Sequence, residues 1–301
     1  MTAVSVENIT KRYGKTVALD GVSFEVEKGE LFGIIGPDGA GKTTLFRIIA
    51  TLILADSGTA SVDGFDVVRD YKELRKRIGY MPGRFSLYQD LTVEENLSFF
   101  AAVFGTTIEE NYRLVEGIYK FLEPFRKRRA GKLSGGMKQK LALCCALIHK
   151  PDILYLDEPT TGVDPVSRKE FWEMLGKLQQ EGITIVVSTP YMDEANLCDR
   201  IALIKGGRFL EIDTPQNIRE SFSVPLWAVR SDRMHRLLDD VRAFPGVDNC
   251  YAFGETHHFT SDAAFDAAKL CDYLHGLGHG DVALCPAKAT IEDCYMLLAR
   301  Q

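Results

Sequence analysis

Residues 36 to 44 read GPDGAGKTT, with the spacing G-x-x-x-x-G-K-T. Backbone N–H groups of such a loop, together with those opening the helix after it, converge on phosphate oxygens. The candidate binding residues are Gly36, Pro37, Asp38, Gly39, Ala40, Gly41, Lys42, Thr43 and Thr44. Lys42 is expected to reach the β- and γ-phosphates of a nucleotide, and the Thr43 hydroxyl to ligate Mg²⁺. A second run, ILYLDEPT (153 to 160), is an apolar strand ending in two carboxylates. Asp157 at the strand end is suited to the magnesium shell, and Glu158 to accepting a proton from an attacking water. A third run, LSGGMKQK (133 to 140), places Ser134, Gly135 and Gly136 ahead of a helix. A hydroxyl, bare backbone N–H groups and a helix N-terminus make another anion site. One chain does not need two phosphate sites for a single nucleotide. Two chains sharing nucleotide across an interface do.

These runs need particular elements to hold them. LFGII (31 to 35) is a short continuous apolar run, as expected of a strand buried on both faces. It feeds into the glycine loop and then into a helix over KTTLFRIIATLI, the strand–loop–helix context that the phosphate loop requires. DILYL and ITIVVST read as two more buried strands, with an amphipathic helix between them that stops at Gly182. VSVENI alternates like a strand, TVALDGVSFEVEKGE has strand patterning, and RIALIKGGRFLEI reads as a hairpin over Gly206 and Gly207. From about 92 to 150 the pattern is mostly helical. The expectation is an α/β domain over residues 1–218 with a β-rich N-terminal part and a helical subdomain at about 84–150. A small α+β domain over 222–301 follows, from the succession LWAV, RMHRLLDDVRAF, DNCYAF, HHFTS, DAAFDAAKLCDYLHGLG, DVALC and ATIEDCYMLLAR.

The bulk composition narrows the classes. Of 301 residues, 46% are hydrophobic and 26% charged, and the net charge of −6 argues against a dedicated nucleic-acid binder. The longest apolar run, LALCCALI, is too short to span a bilayer. The N-terminal MTAVSVENITKRYG has no signal-peptide core. A cytoplasmic chain is expected, one that meets the membrane only through a partner. The seven cysteines include no C-x-x-C pair, and no ligand pair in the Cys- and His-bearing C-terminal part falls at a metal interval. Buried reduced thiols are the expectation. RKRR (126 to 129) is the one strong basic run and reads as a solvated loop.

Phosphate loop, LSGG run, LDEP strand end and TTGVDP turn, in this order, resemble the ATP-binding subunit of an ABC transporter over roughly residues 1 to 215. The resemblance implies two such domains packed head to tail. Each ATP, with Mg²⁺, then lies between one chain's phosphate loop and the other's LSGG signature. It implies that Tyr13 in KRYG stacks on adenine, that Asp164 lies in a turn crossing the dimer interface, and that transmembrane permease subunits are the membrane partners. The C-terminal part resembles the tail domain of drug-resistance-type exporters, which makes export the expected direction. Two positions depart from the family pattern. Gly83 stands where a glutamine follows Pro82, and Pro190 stands where a histidine follows Thr189. Glycine has no carboxamide, and proline has neither a side-chain donor nor an N–H. Asp38 also replaces the usual asparagine. One reading of the two substitutions is harmless drift; the sharper one is a site that binds ATP and hydrolyses it poorly, paired with a non-identical partner domain, with a homodimer as the other arrangement. Two other readings are a mainly regulatory ATP-binding subunit and a soluble ABC ATPase acting on nucleic acid or ribosomes. Acidity, a single phosphate loop, and the lack of room for a coiled coil between Thr44 and Leu133 disfavour the soluble one.

Overall fold

A computed structural model describes residues 1–83 and 87–300. Arg84, Phe85 and Ser86, where the helical subdomain is expected to begin, lie outside the described residues. Two compact units divide the chain after Pro215. In chain order the first comprises β1 (Thr2–Tyr13), β2 (Thr16–Glu27), β3 (Leu31–Ile35), α1 (Lys42–Ile49), β4 (Ser57–Val62), β5 (Phe65–Asp66), α2 (Tyr71–Arg77) and β6 (Ile78–Met81). It continues with α3 (Val93–Val103), α4 (Ile108–Tyr119), α5 (Gly135–Leu147), β7 (Ile153–Asp157), α6 (Pro165–Gln180), β8 (Thr184–Thr189), β9 (Arg200–Lys205) and β10 (Arg208–Asp213).

The central sheet has the order β10-β9-β3-β8-β7-β6. Every pair in it is parallel except β9 with β10. All residues of β3, β7 and β8 are buried, the consequence of a parallel sheet covered on both faces. A second, antiparallel sheet runs β2-β1-β4-β5. One core joins the two sheets through α1, where Phe46 meets Tyr155 edge-on at 6.1 Å. The helical part is punctuated by side-chain caps. Thr92 with Glu95 and Thr107 with Glu110 form capping boxes that start α3 and α4, and Ser134 caps α5.

The helix after the phosphate loop is shorter than its apolar rhythm suggests. It ends at Ile49, Thr51 turns left-handed at φ 62°, and the N–H groups of Leu52 and Ile53 return to the Arg47 carbonyl. Strands β4 to β6 and helix α2 have no strong periodicity in the sequence. In β4 only Ala60 and Val62 are buried.

The second unit begins at Gln216, one residue into α7 (Pro215–Glu220), and continues with β11 (Leu226–Arg230), α8 (Met234–Arg242), β12 (Val247–Phe253), β13 (Thr256–Ser261), α9 (Ala267–Gly276), β14 (Ala283–Pro286) and α10 (Ile291–Leu298). Its antiparallel sheet, ordered β12-β13-β11-β14, with α8 and α9 as crossovers, is a βαββαβ ferredoxin-like arrangement. The division falls a few residues before the expected boundary. Ile218 is fully buried and its carbonyl accepts from the Cys294 thiol at 3.3 Å, so the segment after Pro215 packs with the C-terminal residues. Asp293, also buried, accepts from the Tyr251 hydroxyl at 2.6 Å and from His258 Nδ1 at 2.7 Å. No group of three or more His, Cys, Asp or Glu among the described residues is placed to hold a metal. No helix among them is long and apolar enough to cross a membrane.

Tyr155 exposes no surface, and its hydroxyl has no hydrogen-bond partner among the described residues. A buried hydroxyl without a partner costs about 1–3 kcal/mol. Tyr155→Phe should therefore raise the unfolding free energy by about 1 kcal/mol in a denaturant titration of the full chain. A loss of that size would mean the hydroxyl is satisfied.

Candidate functional site

Strands β3, β8 and β7 are neighbours in one parallel sheet, so their carboxyl ends open on the same edge, where α/β proteins bind ligands. A cavity of about 620 Å³ lies there. Asp38, Gly39, Thr43, Asp157 and Glu158 all border it, as does Gly83. The phosphate loop and the acidic strand end, about 115 residues apart in the chain, thus converge.

The loop's glycines are demanded by its neighbours. A Cβ on Gly36 would lie 2.3 Å from the Ile204 carbonyl oxygen, and one on Gly41 would lie 2.4 Å from that of Ala18. Gly39 and Gly41 also have φ of 77° and 107°, which L side chains rarely adopt. No side chain caps α1 and no acid sits in its first turn, so the N–H groups around Lys42, Thr43 and Thr44 face outward for an anion. Ala40 anchors the loop from inside: it is buried, and its carbonyl accepts from the Gly207 N–H at 2.9 Å. Pro37 and Asp38 are exposed.

Lys42 is only 3% exposed. Its ammonium donates to the carbonyls of Gly36 at 2.7 Å and Pro37 at 3.0 Å, and pairs with Glu158 Oε1 at 3.0 Å. Asp157 is buried, and its Oδ1 accepts from the Ser188 hydroxyl at 2.7 Å. Ser188 is a residue the sequence reading passed over as part of a strand. Its hydroxyl also accepts from the Glu158 N–H at 3.0 Å, so one side chain orients both acids. Glu158 has φ 50°, a strained value for a non-glycine residue of the kind that clusters at functional sites. Tyr80 borders the same cavity, its hydroxyl pushed up to about 12 by burial first and by the Asp157 charge second. Thr43 and Asp157 offer a hydroxyl and a carboxylate, the hard oxygen donors that suit Mg²⁺, and the loop supplies the cradle for phosphates.

Tyr13 sits at the tip of the β1–β2 hairpin, paired with Thr16 and 49% exposed, outside the cavity lining. Ser134, Gly135, Gly136 and Asp164 are not in the lining either; they form a second cluster. Asp164 caps α6 by accepting from the Ser167 N–H at 3.0 Å, which holds its carboxyl below the usual range. A Cβ on Gly136 would lie 2.6 Å from Ser167 Oγ, and one on Gly135 3.3 Å from the Gly162 carbonyl oxygen. The signature glycines therefore let α5 approach the 162–167 turn closely. Ser134 and Gly135 are exposed beside it.

Gly83 also lies close to its neighbours: a Cβ there would come within 2.9 Å of the Asp157 carbonyl oxygen. Pro190 follows Thr189, whose carbonyl accepts from the Gly36 N–H at 3.2 Å.

Residues 19–161 match the family described as ABC transporter. Over 222 residues the chain is 42% identical to a probable multidrug ABC transporter ATP-binding protein, YbhF, of Escherichia coli; this covers 72% of the chain and 38% of that longer protein. It is 41% identical over 221 residues to the Nod factor export ATP-binding protein I of Burkholderia lata, covering 72% of the chain and 73% of that protein. Among solved structures, an ATP-binding subunit of an ABC transporter aligns with TM-score 0.66 and 29% identity, covering 73% of this chain and 93% of that one. A dimeric ATP-binding cassette in a post-hydrolysis state with ADP and Pi aligns with TM-score 0.63 and 28% identity, covering 70% and 98%. With its phosphate loop, acidic strand end and signature in place, the chain belongs to the ATP-binding proteins of the ABC transporter family.

Proposed function

We propose that the chain is the ATP-binding and ATP-hydrolysing motor subunit of a membrane exporter, cytoplasmic and held at the membrane through permease subunits. The observation that carries this is the meeting of Lys42, Asp157 and Glu158 at the open ends of three parallel strands. In this reading the loop N–H groups and Lys42 bind the phosphates, Thr43 and Asp157 hold the metal, and Glu158 takes the proton of the attacking water. Bound magnesium supplies charge neutralisation on the phosphate oxygens. Ser188 keeps the two acids apart in role: it ties Asp157 inward by its hydroxyl and fixes the Glu158 backbone. Tyr13 supplies an exposed aromatic face for adenine. The relatives named for multidrug and Nod factor export favour the outward direction.

Ser134, Gly135, Gly136 and Asp164 serve a partner domain's ATP in this reading. Ser134, Gly135 and Asp164 are exposed, and Gly136 is buried beside them in α5. A heteromer is favoured over a homodimer because Gly83 and Pro190 weaken the chain's own site while its signature is intact. Removing one positioned donor typically costs about 10²–10³ in rate, and two such losses need not multiply. For the permease, a cavity of about 400 Å³ at the ends of α1 and α3 and along α5 offers an apolar seat, with Leu52, Phe100, Val103 and Phe104 on its rim and floor. Leu52 and Val103 are 51% and 61% exposed. Contiguous apolar surface of this kind marks a protein contact. Residues 222–301 form an accessory domain with its own core around Phe259, Leu237 and Leu270.

Three outcomes test the proposal. Lys42→Ala should abolish most affinity for a fluorescent ATP analogue, because the phosphates lose their buried cation; unchanged equilibrium binding removes the phosphate-loop assignment. A chain ending at Ser221 should fold and still bind the analogue, since the described core around α1 is built from residues up to Ile212. An insoluble product, or one unfolded by circular dichroism, rules out an independent accessory domain. In the complex purified with its other subunits, Ser134→Arg should stop most steady-state ATP turnover, whereas Glu158→Gln should leave most of it, because the fast site uses the partner's base. If Glu158→Gln silences the complex, both sites depend on this chain's chemistry and the asymmetric pairing is wrong.

A further inference from the structure

Glu194 is 2% exposed, yet it is ionisable and lies outside the cavity lining. Burying a carboxylate is costly unless donors surround it. Here its Oε1 and Oε2 accept from the Thr160 hydroxyl at 2.9 and 3.1 Å, and Oε2 accepts from the Thr189 hydroxyl at 2.5 Å. Arg168 Nε lies 3.7 Å away. These partners come from three elements. Thr160 is two residues beyond Glu158 at the end of β7. Thr189 ends β8 immediately before Pro190. Arg168 is one turn along α6 from Asp164. The guanidinium is itself fixed, by Asp193 at 3.0 Å and by the ring of Tyr191, whose centroid is 4.9 Å away.

The position after Thr189 makes this carboxylate matter more. Pro190 brings neither an N–H nor a polar side chain, so the chain turning away from the nucleotide edge is fixed through Thr189 itself. The Thr189 hydroxyl accepts from the Tyr191 N–H at 3.1 Å while donating to Glu194. On the other side, the Thr161 N–H returns to the Glu158 carbonyl at 3.2 Å and the Val163 N–H to that of Thr160 at 3.2 Å, a turn that leads to Asp164. One buried carboxylate therefore joins the turn after the base to the turn after β8.

We propose that Glu194 is a positioning residue for hydrolysis: it clamps the 158–164 turn to the 189–191 turn, so that displacement of the exposed Asp164 turn reaches Glu158 and the end of β8 together. The proposal rests on the reading of Glu158 as the base. Its mechanical content does not, and the experiment separates the two. Thr160→Val and Thr189→Val each delete one hydroxyl at constant volume and are gentler than removing the carboxylate. Amide hydrogen exchange on the full chain without nucleotide should show crossed effects. Thr160→Val raises exchange at the Tyr191 amide, and Thr189→Val raises it at Thr161 and Val163, each by about tenfold, the equivalent of one lost hydrogen bond. Glu194→Ala raises both. Exchange that changes only on the substituted side, or nowhere, overturns the clamp.

In the assembled complex whose partner domain has its own catalytic glutamate replaced by glutamine, turnover comes from this chain's site. There Glu194→Gln, which keeps the shape and one acceptor, should lower kcat about tenfold with KM and analogue affinity unchanged, and Glu194→Ala should lower it further. The Thr160→Val/Thr189→Val double variant should lose less than the product of the single effects, because both act through one group. Equal losses of affinity and kcat, or independent effects of the two threonines, reduce Glu194 to a core residue. A failed nucleotide site would be reported separately, by Lys42→Ala leaving analogue binding unchanged.

Discussion

A buried ammonium has to find its oxygens inside the protein, and Lys42 is such a group. Two of its partners are carbonyls of the loop that precedes it, and the third is the carboxylate of Glu158. That arrangement requires the loop to wrap the side chain, so the backbone passes too close to β9 and β2 for any residue but glycine at 36 and 41. It also requires β7 to end beside β3's loop with one strand between them, which only the β3-β8-β7 order provides. The sheet topology, the glycines and the acidic strand end are answers to one electrostatic demand.

Strand β8, the strand between, does more than fill space. Ser188 donates to one acid and accepts from the backbone of the next, and the Thr189 carbonyl accepts from Gly36. The left-handed backbone of Glu158 is a strained conformation that survives because these contacts over-determine it. The two acids adjacent in sequence consequently differ in surroundings. Asp157 is buried and tied down by Ser188, whereas Glu158 reaches Lys42 and has a side chain about one fifth exposed.

Much of this was legible in the sequence, and what was not has physical reasons. The buried strands β3 and β7 announce themselves because both faces are covered and every residue before Asp157 is apolar, aromatic or small. The phosphate loop is legible because its geometry fixes residue types at fixed intervals. Strand β4 was invisible because its residues are mostly small, polar and exposed, so pairing with β1, not patterning, makes it a strand. The end of α1 at Ile49 was hidden by Leu52, Ile53 and Leu54, which continue the apolar rhythm but follow a left-handed Thr51. Ser188 and Glu194 were missed because each acts through neighbours distant in the chain. A serine inside a strand run, or a glutamate in a short helical turn, carries no spacing that betrays its partner.

The two departures at the site differ in kind. At position 83 the backbone has come within contact distance of β7, where even a Cβ would crowd the Asp157 carbonyl. A side chain at this position therefore requires the segment or the end of β7 to move. At position 190 the backbone stays close to the site, since the Thr189 carbonyl still accepts from Gly36 and its hydroxyl still engages Glu194. What proline removes is a donor toward the nucleotide edge; what it leaves is the scaffold on which that donor would stand. In the proposed reading, such a site keeps the loop from Gly36 to Thr44 for phosphate while Gly83 and Pro190 offer no side-chain donor to position water. The asymmetric pair proposed above follows from that division: a chain that binds ATP without hydrolysing it rapidly needs an assembly whose other site turns over.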